Sequence, residues 1–401
     1  MKVLEINSVC GIRSTGRICT DLADVLAENG HECRIAYGRE AVPEKYKDIS
    51  ARIGSDTDVK IHALAARLFD CAGFGSKKVT ERLVEKIQAY DPDIIHLHNL
   101  HGYYLNIEVL FRYLAAADKP VVWTLHDCWA FTGHCAYFTA AGCERWQTGC
   151  NTCPLKKSYP ASAFLDRSKQ NFLKKKELFT SVRNMTLVTP SEWLAGLVRT
   201  SFLGGYPVRA IPNGVDLAAF QPTKSDFRAR HGLEGRIIIL GVATAWNDRK
   251  GLHEFKALAG LLDDRYKVVL LGLKPEQIRE LPANMLGLPA TNTLKELAGI
   301  YTEADVFVNA GKAETMGLTT VEAMACGTPV VVSNLTAVPE VVTSEGGIVL
   351  ETLSAQSIKA GIEKVLGMQL HNTRVNAGLY EKKQQYLKYL KLYTEMLEAK
   401  R

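Results

Sequence analysis

Between Asn309 and Pro329 the chain reads NAGKAETMGLTTVEAMACGTP, with two acids, Glu314 and Glu322, eight positions apart. Apolar periodicity and glycine punctuation predict a strand end, a loop carrying Glu314, a turn at Gly317 and a helix from Leu318 to Cys326. Gly327 and Pro329 stop that helix, and an apolar strand follows from Val330 to Ser333. The first N–H groups of a helix lack intrahelical partners and sit at the positive end of its dipole, so they suit a phosphate. Gly317, with no Cβ, lets an anion come close to the backbone. One carboxylate can then stand on each side of the helix mouth. A carboxylate accepts hydrogen bonds from vicinal hydroxyls, so a phosphate flanked by two sugars would use every part. The plainer alternative is a surface helix with two solvated acids.

Other residues of this kind fall at strand ends, where open α/β sheets bind ligands. Arg249-Lys250-Gly251 follows the apolar run RIIILGVA, and two cations there suit a diphosphate better than they suit a merely solvated loop. His126-Asp127 closes PVVWTL, and His98 and His101 follow DIIHL. A neutral imidazole both donates and accepts, as a sugar hydroxyl requires. His126 is taken as a site residue; for His98 and His101 a purely structural hydrogen bond is the leading reading. The loop Gly11 to Gly16 after the first strand is not GxGxxG, so no nicotinamide site is assigned. Read from its residues alone, it is a tight turn with a Ser/Thr helix cap. Asp91-Pro92-Asp93 has the form of a DxD metal motif but precedes its strand, and so faces the wrong end of the sheet.

These motifs carry a family likeness. E-T-M-G-L-T-T-V-E-A-M-A-C-G-T-P-V-V, preceded by A-D-V-F-V, resembles the signature of retaining GT-B glycosyltransferases, in particular glycosyltransferase family 4. W-T-L-H-D resembles the family's T-x-H-D, and I-P-N-G-V-D resembles the crossover between its two domains. The resemblance implies two Rossmann-like, doubly wound α/β domains facing across a cleft, and a nucleotide-diphosphate-sugar donor carrying UDP or GDP. It implies that Glu314 contacts the donor sugar, Glu322 the ribose and His126 a donor hydroxyl, with Met316, Gly317, Leu318 and Thr319 at the helix mouth binding the donor. Gly11 and Gly16 would face the diphosphate from the other domain. Lys250 matches the family's Lys-Gly; its Arg, several residues earlier, is absent at Thr244 and Ala245, and Arg249 is expected to replace it. No cofactor is implied for catalysis. Hexose transfer to a saccharide or lipid-linked saccharide in surface-polysaccharide assembly is expected, against a nucleotide-sugar epimerase of the same fold or a non-catalytic scaffold.

The long loop over 128–160 needs bracing of its own, since structureless inserts of this length are uncommon in compact domains. Cys135, Cys143, Cys150 and Cys153 give C-x7-C-x6-C-x2-C, which can supply four thiolates to a structural zinc with no catalytic part. A set of free or buried thiols is the alternative, with Cys128 and His134 as bystanders or substitute ligands.

The elements that must position these residues alternate strand and helix twice over, so 401 residues are divided into 1–212, 213–370 and a final helix, 371–401, crossing back to the first domain. Apolar content of 47% and charged content of 23% describe an ordinary globular protein. A net charge of +6 is too mild to imply nucleic acid. MKVLEINSV lacks the marks of a signal peptide, so ten cysteines point to a reducing cytoplasm. The basic run Arg167–Lys176 reads as a solvated helix face, or as a peripheral contact with anionic lipid at the inner face of the membrane.

Overall fold

The protein, described here from a computed structural model over residues 1–368 and 373–400, divides into two units. One is Met1–Pro212 with Gln385–Arg401, the other Asn213–Gln384. In the first unit seven strands run parallel: β1 (Lys2–Asn7), β2 (Glu32–Tyr37), β3 (Ser50–Arg52), β4 (Ile94–Leu97), β5 (Val121–Thr124), β6 (Met185–Thr189) and β7 (Val208–Ala210). Their order is β3-β2-β1-β4-β5-β6-β7, with Val3 opposite both Cys33 and Ile94. Both faces of the sheet are covered, which is why its central strands are nearly all apolar. Val3, Ile94, Val122 and Val188 pack under Leu22, Leu26 and three tyrosines of the last helix, Tyr386, Tyr389 and Tyr393. The alternate residues Leu4, Ile95, Val121 and Trp123 pack against Leu110, Phe111 and Phe179.

The second unit has six parallel strands: β8 (Ile237–Val242), β9 (Tyr266–Leu271), β10 (Met285–Leu288), β11 (Val306–Asn309), β12 (Val330–Val332) and β13 (Gly347–Val349). Their order is β10-β9-β8-β11-β12-β13. In each unit the winding reverses once, between β1 and β4 and between β8 and β11. Loops leaving those neighbouring strands diverge to opposite sides and leave a crevice at their carboxyl ends.

Local details depart from what the motifs alone predict. Within the polar stretch after β2, β3 pairs at the sheet edge, and the helix Asp56–Phe69 starts on a capping box of Ser55 and Asp58. A short polar edge strand gives no alternating pattern to read. That helix and the next, Lys77–Tyr90, are separated where Asp70 turns left-handed at φ 52°. After β1 the helix begins at Arg13, capped by Ile12 without a side-chain bond, so Gly16 lies in its first turn and neither Ser14 nor Thr15 caps it. Gly11 at φ 70° makes the turn, its N–H donating to Gly16 O at 2.9 Å.

The division placed at residue 370 lies outside the described residues. Beyond it, the helix Thr373–Gly378 belongs to the second unit, tied to the helix Leu318–Ala325 by Thr373 Oγ1 donating to Met324 O at 3.3 Å. Only the helix Lys382–Ala399 carries the chain back to the first unit. Gly214 is needed where the chain enters the second unit, since a Cβ there would come within 2.3 Å of Lys382 Cα.

Candidate functional site

In the second unit the reversal between β8 and β11 brings together groups 64 residues apart. Lys250 ends a 3-10 turn, Asp248–Lys250, held by Asn247 Oδ1 accepting from Lys250 N–H at 3.2 Å. Its Nζ donates to Glu314 Oε1 at 2.5 Å, and both side chains are largely buried. The two loops are stitched by backbone: Lys312 N–H donates to Arg249 O at 2.8 Å, and the Arg249 guanidinium donates to Ala313 O at 3.1 Å. Gly251 permits this approach, because at φ 80° its Cβ would stand 2.5 Å from Ala310 O. Lys312 is engaged by Asp248 and Glu254 at 2.9 Å each, leaving Lys250 to face Glu314.

The loop after β11 is fixed from within. Asn309 Oδ1 accepts from Gly311 N–H and its Nδ2 donates to Thr320 Oγ1, each at 3.0 Å, while Glu314 N–H donates to Thr336 Oγ1 at 3.0 Å. Gly317 caps the helix Leu318–Ala325 at φ 94° and has no side chain to engage its first N–H groups. Leu318 and Thr319 are half-buried at this mouth. Met316 is buried, its sulfur accepting from Asn213 N–H at 3.2 Å, so what it can offer a ligand is backbone. Glu322 is half-buried one turn on, its Oε2 accepting from the Tyr301 hydroxyl at 3.0 Å. That buried phenol fixes the carboxylate's direction.

In the first unit, His126 follows β5 and its Nε2 lies 3.1 Å from His98 Nδ1; His98 Nε2 lies 3.1 Å from Glu5 Oε2. Side-chain alternation puts Glu5, His96, His98, Thr124 and His126 on one face of the sheet. His96 is saturated by Thr124 Oγ1 and the Tyr393 hydroxyl, each at 2.7 Å. Glu5, His96 and His98 are the three donors, among the described residues, whose ligand atoms all lie within 4.8 Å. Each ring nitrogen already has a protein partner, so the trio is a hydrogen-bond chain. Burial pushes the Glu5 carboxyl up to about 8, holds His96 and His98 well below the usual imidazole range, and takes His126 down to about 4. All three rings are therefore neutral at pH 7. With Glu5 protonated, its O–H donates to His98, His98 donates to His126 Nε2, and His126 keeps its proton on Nδ1. With Glu5 ionised, every proton in the chain moves to the other nitrogen.

His101, expected to be structural, binds Asp127 Oδ2 at 2.7 Å and the Tyr159 hydroxyl at 2.9 Å. Asp91 and Asp93 do only structural work, meeting Lys119 at 2.6 Å and the Lys2 N–H at 2.7 Å. Glu5 was not legible as a functional residue; its one signal was an acid in an otherwise apolar strand. The proton it keeps has a measurable consequence. The folded protein holds it up to about pH 8, whereas the unfolded chain releases it near 4.5, so stability falls as pH rises between the two. Glu5→Gln should flatten that fall by up to about 1.4 kcal/mol per pH unit, read by urea unfolding across the window. An identical slope in the variant would show that Glu5 does not carry it.

Cys135, Cys143, Cys150 and Cys153 all line one small cavity, none forms a disulfide, and no three of their sulfurs lie mutually within 4.8 Å. His134 lines the same cavity. Within the basic run, Lys175 departs from a solvated face: it is buried and donates to Trp129 O at 2.8 Å and Thr132 O at 3.1 Å.

Known proteins place this architecture. Residues 15–219 match the Glycosyltransferase Family 4 model, and residues 223–384 match Glycosyl transferases group 1. WcaC of Escherichia coli strain K12, named as a glycosyl transferase of colanic acid biosynthesis, is 26% identical over 373 residues, 89% of this chain and 88% of that protein. Among solved structures, sucrose-phosphate synthase from Thermosynechococcus elongatus superposes with a TM-score of 0.69 at 17% identity, covering all of both chains. HepE from Anabaena, in complex with UDP and glucose, gives 0.67 at 15% identity, over 98% of this chain and 100% of that one. Two parallel Rossmann-like sheets, of seven and six strands in this chain, give it the GT-B fold that these neighbours share. The chain belongs to glycosyltransferase family 4 and is a glycosyltransferase.

Proposed function

We propose that the protein is a retaining hexosyltransferase. It takes a hexose from a UDP- or GDP-linked donor and passes it to a saccharide or lipid-linked saccharide in surface-polysaccharide assembly. The observation that carries this reading is the Lys250–Glu314 pair at 2.5 Å, made by the two loops that flank the winding reversal. HepE, solved with UDP and glucose, and WcaC, named for colanic acid biosynthesis, support the donor and acceptor classes.

As the bond between the anomeric carbon and the diphosphate oxygen breaks, negative charge grows on the leaving group. Lys250, Arg249 and the N–H groups at Gly317 stabilise it, as preorganised donors do at a developing charge. The departing phosphate takes the acceptor's proton on the same face, so configuration is kept. Glu314 orients the sugar, Glu322 the ribose, and the neutral His126 a sugar hydroxyl. Gly11 is assigned to the donor side as the turn that opens the helix, and Gly16 as part of that helix's first turn.

We further place the enzyme at the cytoplasmic face of a membrane. The stretch 164–176 exposes Phe164 and Leu173, at 71% and 56%, among Arg167, Lys169 and Lys176. Apolar and basic groups together suit an anionic lipid surface.

A donor at about 100 times its Kd should stabilise the fold by about 2.7 kcal/mol, so a thermal-shift screen of UDP- and GDP-sugars will identify it. Transfer with that donor should give a product of unchanged anomeric configuration by NMR. No stabilisation by any nucleotide-sugar, or an inverted product, overturns this function.

A further inference from the structure

The stretch from Cys128 to Arg167 contributes no strand to the sheet. Its regular structure is three single turns of 3-10 helix, Trp129–Phe131, Thr139–Ala141 and Arg145–Gln147. An aromatic cluster of Phe131, Phe138 and Trp146 fills part of its interior. Beside it lies the cavity lined by His134 and the four cysteines.

His134 is 2% exposed. Its Nδ1 meets Asp70 Oδ1 at 2.6 Å, while its Nε2 is buried with no hydrogen-bond partner. Asp70 is in turn held by the Arg167 N–H at 2.7 Å. An imidazole fixed by a carboxylate at one nitrogen, with the other nitrogen unengaged beside sulfur donors, is arranged as metal-ligating histidines are. An orphaned buried nitrogen is otherwise costly. Cys150 Sγ accepts from the Gly133 N–H at 3.2 Å, which turns the sulfur toward the loop. Gly133 can be nothing larger, because a Cβ would stand 2.0 Å from Ser168 O. Cys135 and Cys153 share a hydrogen bond, and Lys175 is near enough to Cys135 and Cys150 to act on both electrostatically.

We propose that this loop binds one zinc ion tetrahedrally, through the thiolates of Cys135, Cys150 and Cys153 and a fourth donor, Cys143 or His134. Both candidates for the fourth position line the cavity. Three thiolates completed by Cys143, or by His134 with its carboxylate partner, form a soft donor set that suits zinc over oxygen-seeking cations. No three of these five donor atoms lie mutually within 4.8 Å. Ligation therefore draws the Cys143 and Cys150–Cys153 turns inward, and the metal braces a loop that has no sheet to brace it.

The protein, purified without chelator, should contain about one zinc per chain by mass spectrometry of the metal. Cobalt substituted for it should show intense thiolate-to-metal absorption. Cys135→Ser and Cys153→Ser should lose both signals, and Cys71→Ser, outside the cavity, should keep them. Comparing Cys143→Ser with His134→Ala identifies the fourth ligand by which one changes the cobalt spectrum. If those variants do not fold, the wild-type protein still decides. With zinc present, three or four of its thiols should resist a thiol reagent, and stripping the metal should speed cleavage between 128 and 167 on the order of tenfold. Substoichiometric metal after zinc loading, with thiol reactivity and cleavage unchanged, overturns the proposal.

Discussion

Lys250→Ala should lower kcat by about 10²–10³-fold while changing the donor KM by less than about threefold. The asymmetry follows from where the ammonium stands. Its Nζ is ion-paired with Glu314 Oε1 at 2.5 Å. Binding a diphosphate must loosen that pair, so much of the cation's attraction for the ground state is offset by the contact given up. In the transition state the leaving diphosphate gains charge, and the balance tips toward it. Interactions that strengthen only on the way to the transition state appear in kcat. Lys250→Arg keeps the charge but not the point geometry, and should recover part of the rate. Glu314→Gln frees the ammonium and should tighten binding of the nucleoside diphosphate product while slowing turnover. The measurements are steady-state transfer kinetics and product titration calorimetry. A Lys250→Ala enzyme with normal kcat would remove the lysine from the chemistry.

The contact behind that prediction illustrates what a sequence can and cannot show. Lys250 and Glu314 could each be singled out, one by a cation pair after an apolar strand, the other by its place before a glycine-capped helix. Nothing local joins them. They meet because β8 and β11 are neighbours, a property of sheet order that depends on long-range pairing. The strands themselves were readable because runs such as VVLL and VVV are buried on both faces. The edge strand Ser50–Arg52 was not, being short and polar. Charged residues mislead most when burial reverses their usual meaning. Glu5 sits inside a strand read as apolar, and Lys175 inside a run read as a solvated face, yet both are buried and bonded. For His98 a structural hydrogen bond is expected from the sequence, but its partners, His126 and Glu5, lie 28 and 93 positions away and no local pattern names them.

Glu322→Ala should weaken donor binding by about 10–100-fold, because hydrogen bonds to a charged acceptor contribute roughly 1.5–3 kcal/mol each. At saturating donor, kcat should change little, since a ribose contact is as strong before bond breaking as during it. Tyr301 refines the test. Its hydroxyl donates to Glu322 Oε2 at 3.0 Å from a fully buried ring. Tyr301→Phe leaves the carboxylate in place but less constrained, so affinity should fall only a few-fold, about the net worth of one hydrogen bond. Glu322→Ala also leaves that phenol without its partner, so some stability is lost as well. Affinity must therefore be measured below the melting transition. A deoxyribose donor separates ribose binding from such indirect effects. If Glu322 holds the ribose hydroxyls, wild type should discriminate against the deoxy donor and Glu322→Ala should bind both alike, as coupled partners do in a double-substitution cycle. Equal discrimination by both proteins would show that the ribose is held elsewhere.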